Sequence, residues 1–262
     1  MTDSHHYYAF DDIRLAISDD ILSEFPSFTK SSSLSEIGEC DDFDLCLERQ
    51  NFKGHQAMCL SWHKLGEKKP LRYCIDYVSS LKSSRSFPAP KQGAFNQALG
   101  NKSKAILDAT GGWGNDALLM AMQGYSVTVL ERNPIMALLM EEGFSRLSKY
   151  IESAELRLTV PTVHHIDSIN AISRFAKQCD CAYLDPMFPP KRKKSAATNK
   201  QMQLLQWLIG EDVDAATLLE QAIKGGFRRI AVKRPDYAQP LYKAPSQQFS
   251  SKLVHYDVYL QN

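Results

Sequence analysis

"AILDATGGWGNDALLMAMQGYSVTVLERNP", residues 105–134, decides the fold. An apolar run ends at Asp108, glycines follow at Gly111, Gly112 and Gly114, and a β-branched run ends at the pair Glu131–Arg132. A near-continuous apolar run closed by a glycine cluster is what a strand buried on both faces looks like. "NDALLMAMQ" reads as a helix, and Gly124 stands where it must stop. Strand, tight turn, helix and strand in this order predict a parallel βαβ unit.

The same alternation continues toward the C-terminus. Pro134 opens "PIMALLMEEGFSRLSKYI", a helix with proline in its first turn. "LRLTVPTVHHI" reads as a third strand, "DSINAISRFAKQ" as a helix and "CDCAYLDP" as a fourth strand. Helices near 200–209 and 213–224 precede the strand "RRIAVKRP", and "KLVHYDVYL" closes the chain. The expected fold is α/β, a doubly wound, mostly parallel sheet with helices on both faces. In such sheets ligands bind beyond the carboxyl ends of the strands.

The unusual residues gather at those ends. Glycines at Gly112 and Gly114 let a ligand approach the backbone, and the helix start that follows favours a negative group. Glu131, about 20 residues on, can accept both hydroxyls of a ribose. This pattern alone fits a dinucleotide or S-adenosylmethionine. "GGWGND" lacks the last glycine of the dinucleotide fingerprint, and Asp108 would repel a pyrophosphate. An acid suits the cationic methionine end of S-adenosylmethionine. The bland reading is a turn that packs a helix on a strand, with Asn115 and Asp116 as ordinary first-turn residues.

"AYLDPMFPPKRKK", residues 182–194, is the second informative stretch. Asp185 ends a strand, and Pro186, Pro189 and Pro190 stiffen the loop around Phe188. A carboxylate and the Pro186 carbonyl can accept hydrogen bonds from one exocyclic amino group while an aromatic ring stacks on its base. Acceptors so placed help where charge develops during transfer to that nitrogen. A plain proline-rich loop with Phe188 in the core is the competing reading. Lys191, Arg192, Lys193 and Lys194 follow directly, and Lys233 and Arg234 end another strand; both groups are candidates for RNA phosphates, although a charge run is usually a solvated loop.

Composition sets the bounds. The chain has 262 residues, 44% hydrophobic and 23% charged, with a formal net charge of +1. That suits a globular protein with a real core, and any nucleic acid must be met by a local patch. The start lacks a secretory pattern, no apolar run is long enough for a membrane span, and a cytoplasmic protein is expected. Cys40, Cys46, Cys59, Cys74, Cys179 and Cys181 include no CxxC pair, so no metal is expected and all six are read as reduced. Residues 1–85 show short alternating segments such as "DLCLERQ" and "LRYCIDYV" and form a small α+β extension; "KSSRSFPAPKQG", residues 82–93, reads as a linker. Residues 86–262 form the main domain.

"DATGGWGNDALLMA", "VLERNP", "DPMFPPKRK" and "AVKRPDYAQPL" together resemble the bacterial RsmJ family, over residues from about 90 to the end. The resemblance implies a class I, Rossmann-like methyltransferase that moves a methyl from S-adenosylmethionine to guanine N2 in small-subunit (16S) ribosomal RNA. It implies cofactor contacts at Asn115 and Asp116, at the ribose-side pair Glu131 and Arg132, and at Asp167 and Ser168 near the adenine. Asp167 and Ser168 fit a helix N-cap equally well. Asp185 opens the family's DPMFP turn and also lies beside the cofactor. Thr110 departs from the wider methyltransferase pattern, which has glycine there, and Met187 replaces a proline. The rivals are an adenine-N6 methyltransferase, a non-catalytic RNA-binding protein of the same fold and, less favoured, a dinucleotide oxidoreductase.

Overall fold

The computed structural model describes residues 5–26, 28, 34–38, 43–64, 66–188, 200–210 and 212–261, without the side chains of residues 200 and 201. Among these, the N-terminal part forms a six-stranded sheet. Its strands are β1 (His5–Phe10), β2 (Ile13–Ser18), β3 (Ser35–Ile37), β4 (Leu45–Phe52), β5 (His55–Trp62) and β6 (Leu71–Cys74), in the order β3-β1-β2-β4-β5-β6. Only the β2–β4 pair is parallel. Lys53 and Gly54, both with positive φ, make the tight β4–β5 turn, and the alternating residues beyond it place Leu45, Leu47, Met58 and Leu60 on one buried face. Helix α1 (Asp19–Glu24) packs on β2 and β4, and α2 (Tyr77–Lys82) follows β6.

One expectation fails in this sheet. Cys59 and Cys74 face each other across β5 and β6 and are joined as a disulfide, with Cα atoms 4.5 Å apart. A spacing of 15 residues gave no hint of the pair, because register rather than sequence distance opposes them. Cys46, Cys179 and Cys181 are buried free thiols, and Cys40 lies outside the described residues.

The second sheet follows α3 (Gly93–Leu99). It contains β7 (Ala105–Asp108), β8 (Ser126–Glu131), β9 (Thr162–His165), β10 (Cys181–Leu184), β11 (Arg229–Pro235), β12 (Gln247–Ser250) and β13 (Val254–Leu260), ordered β12-β13-β11-β10-β7-β8-β9. The five strands from β11 to β9 are parallel, and β13 is antiparallel to both of its neighbours, β11 and β12. The chain leaves β7 toward β8 on one side and returns to β10 on the other, so the topological switch lies between β7 and β10. Alternation puts Ile106, Tyr183 and Ala231 on one face with α4 (Asn115–Met122) and α5 (Pro134–Ser153); Leu107, Leu184 and Val232 pack the opposite face with α6 (Ser168–Ala171) and α8 (Ala215–Lys224). Helix α7 (Lys200–Ile209) lies between β10 and α8 in sequence.

The expected third strand is cut short. Only Thr162–His165 pairs, because Pro161 has no N–H for the ladder and β9 is an edge. The helix after it is α6 with one 3-10 turn, Ile172–Phe175, and the short edge strand β12 was not foreseen. No helix among the described residues is long and apolar enough to cross a membrane.

Both sheets meet on α5. Its buried Glu142 accepts from Arg146 Nε at 2.8 Å and from the Met58 N–H of β5 at 3.3 Å, and Arg49 of β4 adds a charge at 3.4 Å. Tyr77 stacks on Phe144 and donates to the Trp113 carbonyl at 2.9 Å. The N-terminal layer therefore presses on the glycine turn itself. Gly114, at φ +66°, has no room for a side chain, since a Cβ would lie 2.1 Å from the Tyr77 hydroxyl. Gly114→Ala should cost roughly 1–3 kcal/mol of stability, for clash and for a left-handed alanine. Adding Tyr77→Phe removes the atom that is struck. Urea unfolding of the double variant should show less loss than the sum of the singles; strict additivity would mean that Tyr77 does not press on the turn.

Candidate active site

A cavity of about 440 Å³ opens at the carboxyl ends of β7, β8 and β10, lined among others by Asp108, Gly112, Glu131, Ser168, Asp185 and Lys233. Its size suits a nucleoside-sized ligand. Asp108, 1% exposed, accepts from the Thr110 N–H at 3.1 Å. The turn then passes Gly111, where a Cβ would strike Met140 and Val129, and Gly112, whose N–H donates to Glu131 Oε2 at 2.8 Å. The other oxygen of Glu131 accepts from the Asn133 N–H at 2.7 Å. Two backbone donors thus fix this acid at the end of β8 before any ligand arrives. Burial nevertheless pushes its carboxyl up to about 7.

Asn115 and Asp116 open α4 behind the turn, and both line the cavity. Asp116 accepts from Tyr183 Oη at 2.6 Å and from Lys233 Nζ at 2.9 Å. Asp167 is the N-cap of α6, accepting from the Ile169 N–H at 2.9 Å, and Ser168 Oγ donates to the Ala109 carbonyl at 2.6 Å. Asp167 is thus the helix cap that its sequence suggests, and both residues border the cavity.

Asp185 stands opposite, at the end of β10, and its N–H donates to Thr110 Oγ1 at 2.7 Å. Pro186, Met187 and Phe188 carry the turn along the cavity wall. The Met187 N–H donates to Asp212 Oδ2 at 2.7 Å, and Arg132 pairs with Asp212 and, at 2.7 Å, with Asp214. Arg132 therefore ties the end of β8 to the Asp-Pro-Met-Phe turn; its guanidinium holds protein carboxylates.

The two expected phosphate contacts on β11 are placed elsewhere. Lys233 Nζ lies 2.7 Å from Asp185 Oδ2, inside the site. Arg234 is 6% exposed and bonds Asp257 at 2.6 and 3.2 Å and the Ala238 carbonyl at 2.6 Å. Both charges are thus engaged by protein partners, Lys233 on one face of the sheet and Arg234 on the other, as strand alternation requires. Lys191, Arg192, Lys193 and Lys194 lie outside the described residues. Sequence reasoning missed Thr110, Tyr183 and Asp212 as parts of the site. Tyr183 and Thr110 stand inside the motifs already singled out, whereas nothing local marks Asp212.

The charge balance is uneven: Asp108, Asp116 and Asp185 converge on one ammonium. Burial, then Asp116 and Asp185, push the Asp108 carboxyl up to about 8 against the opposing Thr110 N–H and Lys233. A cavity with surplus negative charge beside a glycine turn fits a ligand that carries cationic centres next to a nucleoside. A carboxyl whose folded value is raised above its ordinary 3.8 adds stability that is complete at low pH and is lost as the pH climbs through about 8. Asp108→Asn keeps the acceptor for Thr110 and removes the titration. Its melting temperature should gain on that of the unliganded wild type steadily between about pH 5 and 8 and level off above; a pH-independent difference would contradict the raised carboxyl.

A family model described as "Putative SAM-dependent methyltransferase" matches residues 40–261. Over 211 residues the chain is 37% identical to a ribosomal RNA small subunit methyltransferase J of Mannheimia succiniciproducens, covering 78% of this chain and 82% of that one. A protein of the same name from Shewanella baltica is 35% identical over 207 residues, covering 77% and 83%. In fold, the chain is similar to the crystal structure of a SAM-dependent methyltransferase from Neisseria gonorrhoeae, with a TM-score of 0.61 at 23% identity and coverage of 94% and 95%. The doubly wound sheet is thus the Rossmann-like class I sheet, and the chain belongs to the SAM-dependent methyltransferases of the ribosomal RNA small subunit methyltransferase J family.

Proposed function

We propose that this enzyme methylates the N2 amino group of a guanine in small-subunit ribosomal RNA. The observation that carries the reading is Asp185, which ends β10 at the wall of the cavity that the glycine turn also lines. S-adenosylmethionine supplies a methyl on a sulfonium, and the surplus of acid at Asp108 and Asp116 suits its positive end. Glu131 is assigned to the ribose, and Asp167 and Ser168 to the adenine side. Asp185 Oδ1 and the Pro186 carbonyl accept the two N–H bonds of the target amino group while Phe188 stacks on the base. These acceptors raise the electron density on a nitrogen whose lone pair is otherwise spread into the ring. The new N–C bond forms as the C–S bond breaks, and the proton that the nitrogen sheds passes to Asp185 along its hydrogen bond. A cytoplasmic location goes with a ribosomal RNA substrate.

The test is methylation of unmodified small-subunit RNA and of subunits with labelled S-adenosylmethionine, followed by nucleoside analysis. N2-methylguanosine supports the reading, and N6-methyladenosine overturns the choice of base. Asp185→Ala should lower the single-turnover rate at saturating cofactor and RNA by about 10²–10³, the scale for losing a preorganised polar group at a reacting centre. Asp185→Asn should be milder, since its amide oxygen still accepts. A wild-type rate in Asp185→Ala removes the catalytic role.

RNA contact is assigned to Lys191, Arg192, Lys193 and Lys194, which follow the turn in sequence. Replacing all four with alanine should lower RNA affinity and flatten its salt dependence by up to about four phosphate contacts, with cofactor affinity unchanged. An unaltered salt slope would make the cluster a solvated loop.

A further inference from the structure

Lys233 takes no part in the reaction as described so far. Its ammonium is nonetheless shared between Asp185 Oδ2 at 2.7 Å and Asp116 Oδ2 at 2.9 Å. Asp116 belongs to the helix behind the glycine turn, and Asp185 ends the strand before the Asp-Pro-Met-Phe turn. The two halves of the site, one on each side of the β7–β10 switch, thus have a common donor. We propose that Lys233 is a positioning residue that bridges Asp116 and Asp185, fixing the Asp185 carboxylate through Oδ2 and keeping it ionised so that Oδ1 accepts the target amino group. The inference rests on the methyl-transfer reading and extends it.

The surroundings give this ammonium its weight. The ionisable groups facing the pair are Asp108 at the end of β7, Asp116 on α4, Tyr183 on β10 and Tyr256 on β13. Both phenols are raised above their ordinary value, chiefly by burial, and stay neutral. Among the described residues, Lys233 is the one cation in this group. Burial opposes its charge, but Asp185 and Asp116 outweigh that and raise its pKa. Burial also pushes the Asp185 carboxyl up, to about 6, with Asp116 adding to the rise and Lys233 holding it down. Without Lys233 the acids would face one another with no compensating charge, and Asp185 would hold a proton at neutral pH.

A lysine that only packed would leave a different trace: its loss would slow the reaction equally at every pH. The test is single-turnover methylation of unmodified RNA at saturating cofactor, from about pH 5.5 to 9, on wild type, Lys233→Met and Lys233→Arg. In the wild type the rate should rise through about pH 6, as Asp185 ionises. In Lys233→Met the rise should move up by about 1–3 pH units, with a loss of roughly 2- to 100-fold at pH 7 that is recovered at high pH. Lys233→Arg should keep the wild-type midpoint. Lys233→Met should bind S-adenosylmethionine as tightly as wild type or tighter, because a cation beside a cation's site has gone. If the Met variant does not fold, Lys233→Gln, which keeps a donor and drops the charge, must show the same displacement. An unchanged midpoint in Lys233→Met, or in Lys233→Gln where the Met variant does not fold, overturns the bridge, whether the rate falls evenly or stays the same. Asp185→Ala run alongside separates the two ideas: a wild-type rate there overturns the methyl-transfer reading, while a dead Asp185→Ala beside an unshifted Lys233→Met overturns only the bridge.

Discussion

Three carboxylates gathered around one ammonium are the constraint on which the site depends. Parallel strands bring their carboxyl ends to one edge, so β7 and β10 deliver Asp108 and Asp185 side by side, and α4 adds Asp116. Like charges at this distance are unfavourable in a buried setting, and the protein answers with Lys233 and with a proton held near neutrality on Asp108. The residual negative charge favours a cationic ligand without any conformational change. The attraction for a cation and the mutual repulsion of the acids then have the same origin.

Such a cluster needs a rigid frame. The frame comes from outside the Rossmann-like sheet: Tyr77 closes over Gly114 and bonds the Trp113 carbonyl, and Glu142 pins α5 to β5. On the opposite rim Arg132, Asp212 and the Met187 N–H form a chain from the end of β8 to the Asp-Pro-Met-Phe turn. The glycine-turn side and the Asp-Pro-Met-Phe side of the cavity are therefore tied through Lys233, through Thr110 and through Asp212.

The main sheet was legible because its chemistry is local. β7, β8 and β10 are short apolar runs punctuated by glycine or proline, and Asn133 with Pro134 announces α5 by capping it. The failures are of another kind. A basic pair at a strand end looks like a surface patch, yet period two turns Lys233 to the face that holds Tyr183 and Asp116 and Arg234 to the face where Asp257 waits. Both faces of this strand are covered, so each charge meets a partner within the fold, and composition does not report that covering. The Cys59–Cys74 pair and the role of Tyr77 escaped for a similar reason: each depends on a partner that only the tertiary arrangement brings near.

The two departures from the wider methyltransferase pattern now have physical reasons. Where that pattern has glycine, Thr110 supplies a hydroxyl that accepts the Asp185 N–H at 2.7 Å, binding the glycine turn to the start of the Asp-Pro-Met-Phe turn. A glycine would leave that donor unpaired in a partly buried place, which costs about 1–3 kcal/mol. Where the pattern has a second proline, Met187 supplies an N–H that donates to Asp212 at 2.7 Å. Proline has no such hydrogen and would break the chain from Arg132 to the turn. The two positions act on the same loop: Thr110 adds a specific hydrogen bond where glycine offers none, and Met187 trades the stiffness of proline for one. Stiffness lost by giving up a proline is thus restored by a latch, and the latch ends at Arg132, the residue after Glu131 at the close of β8.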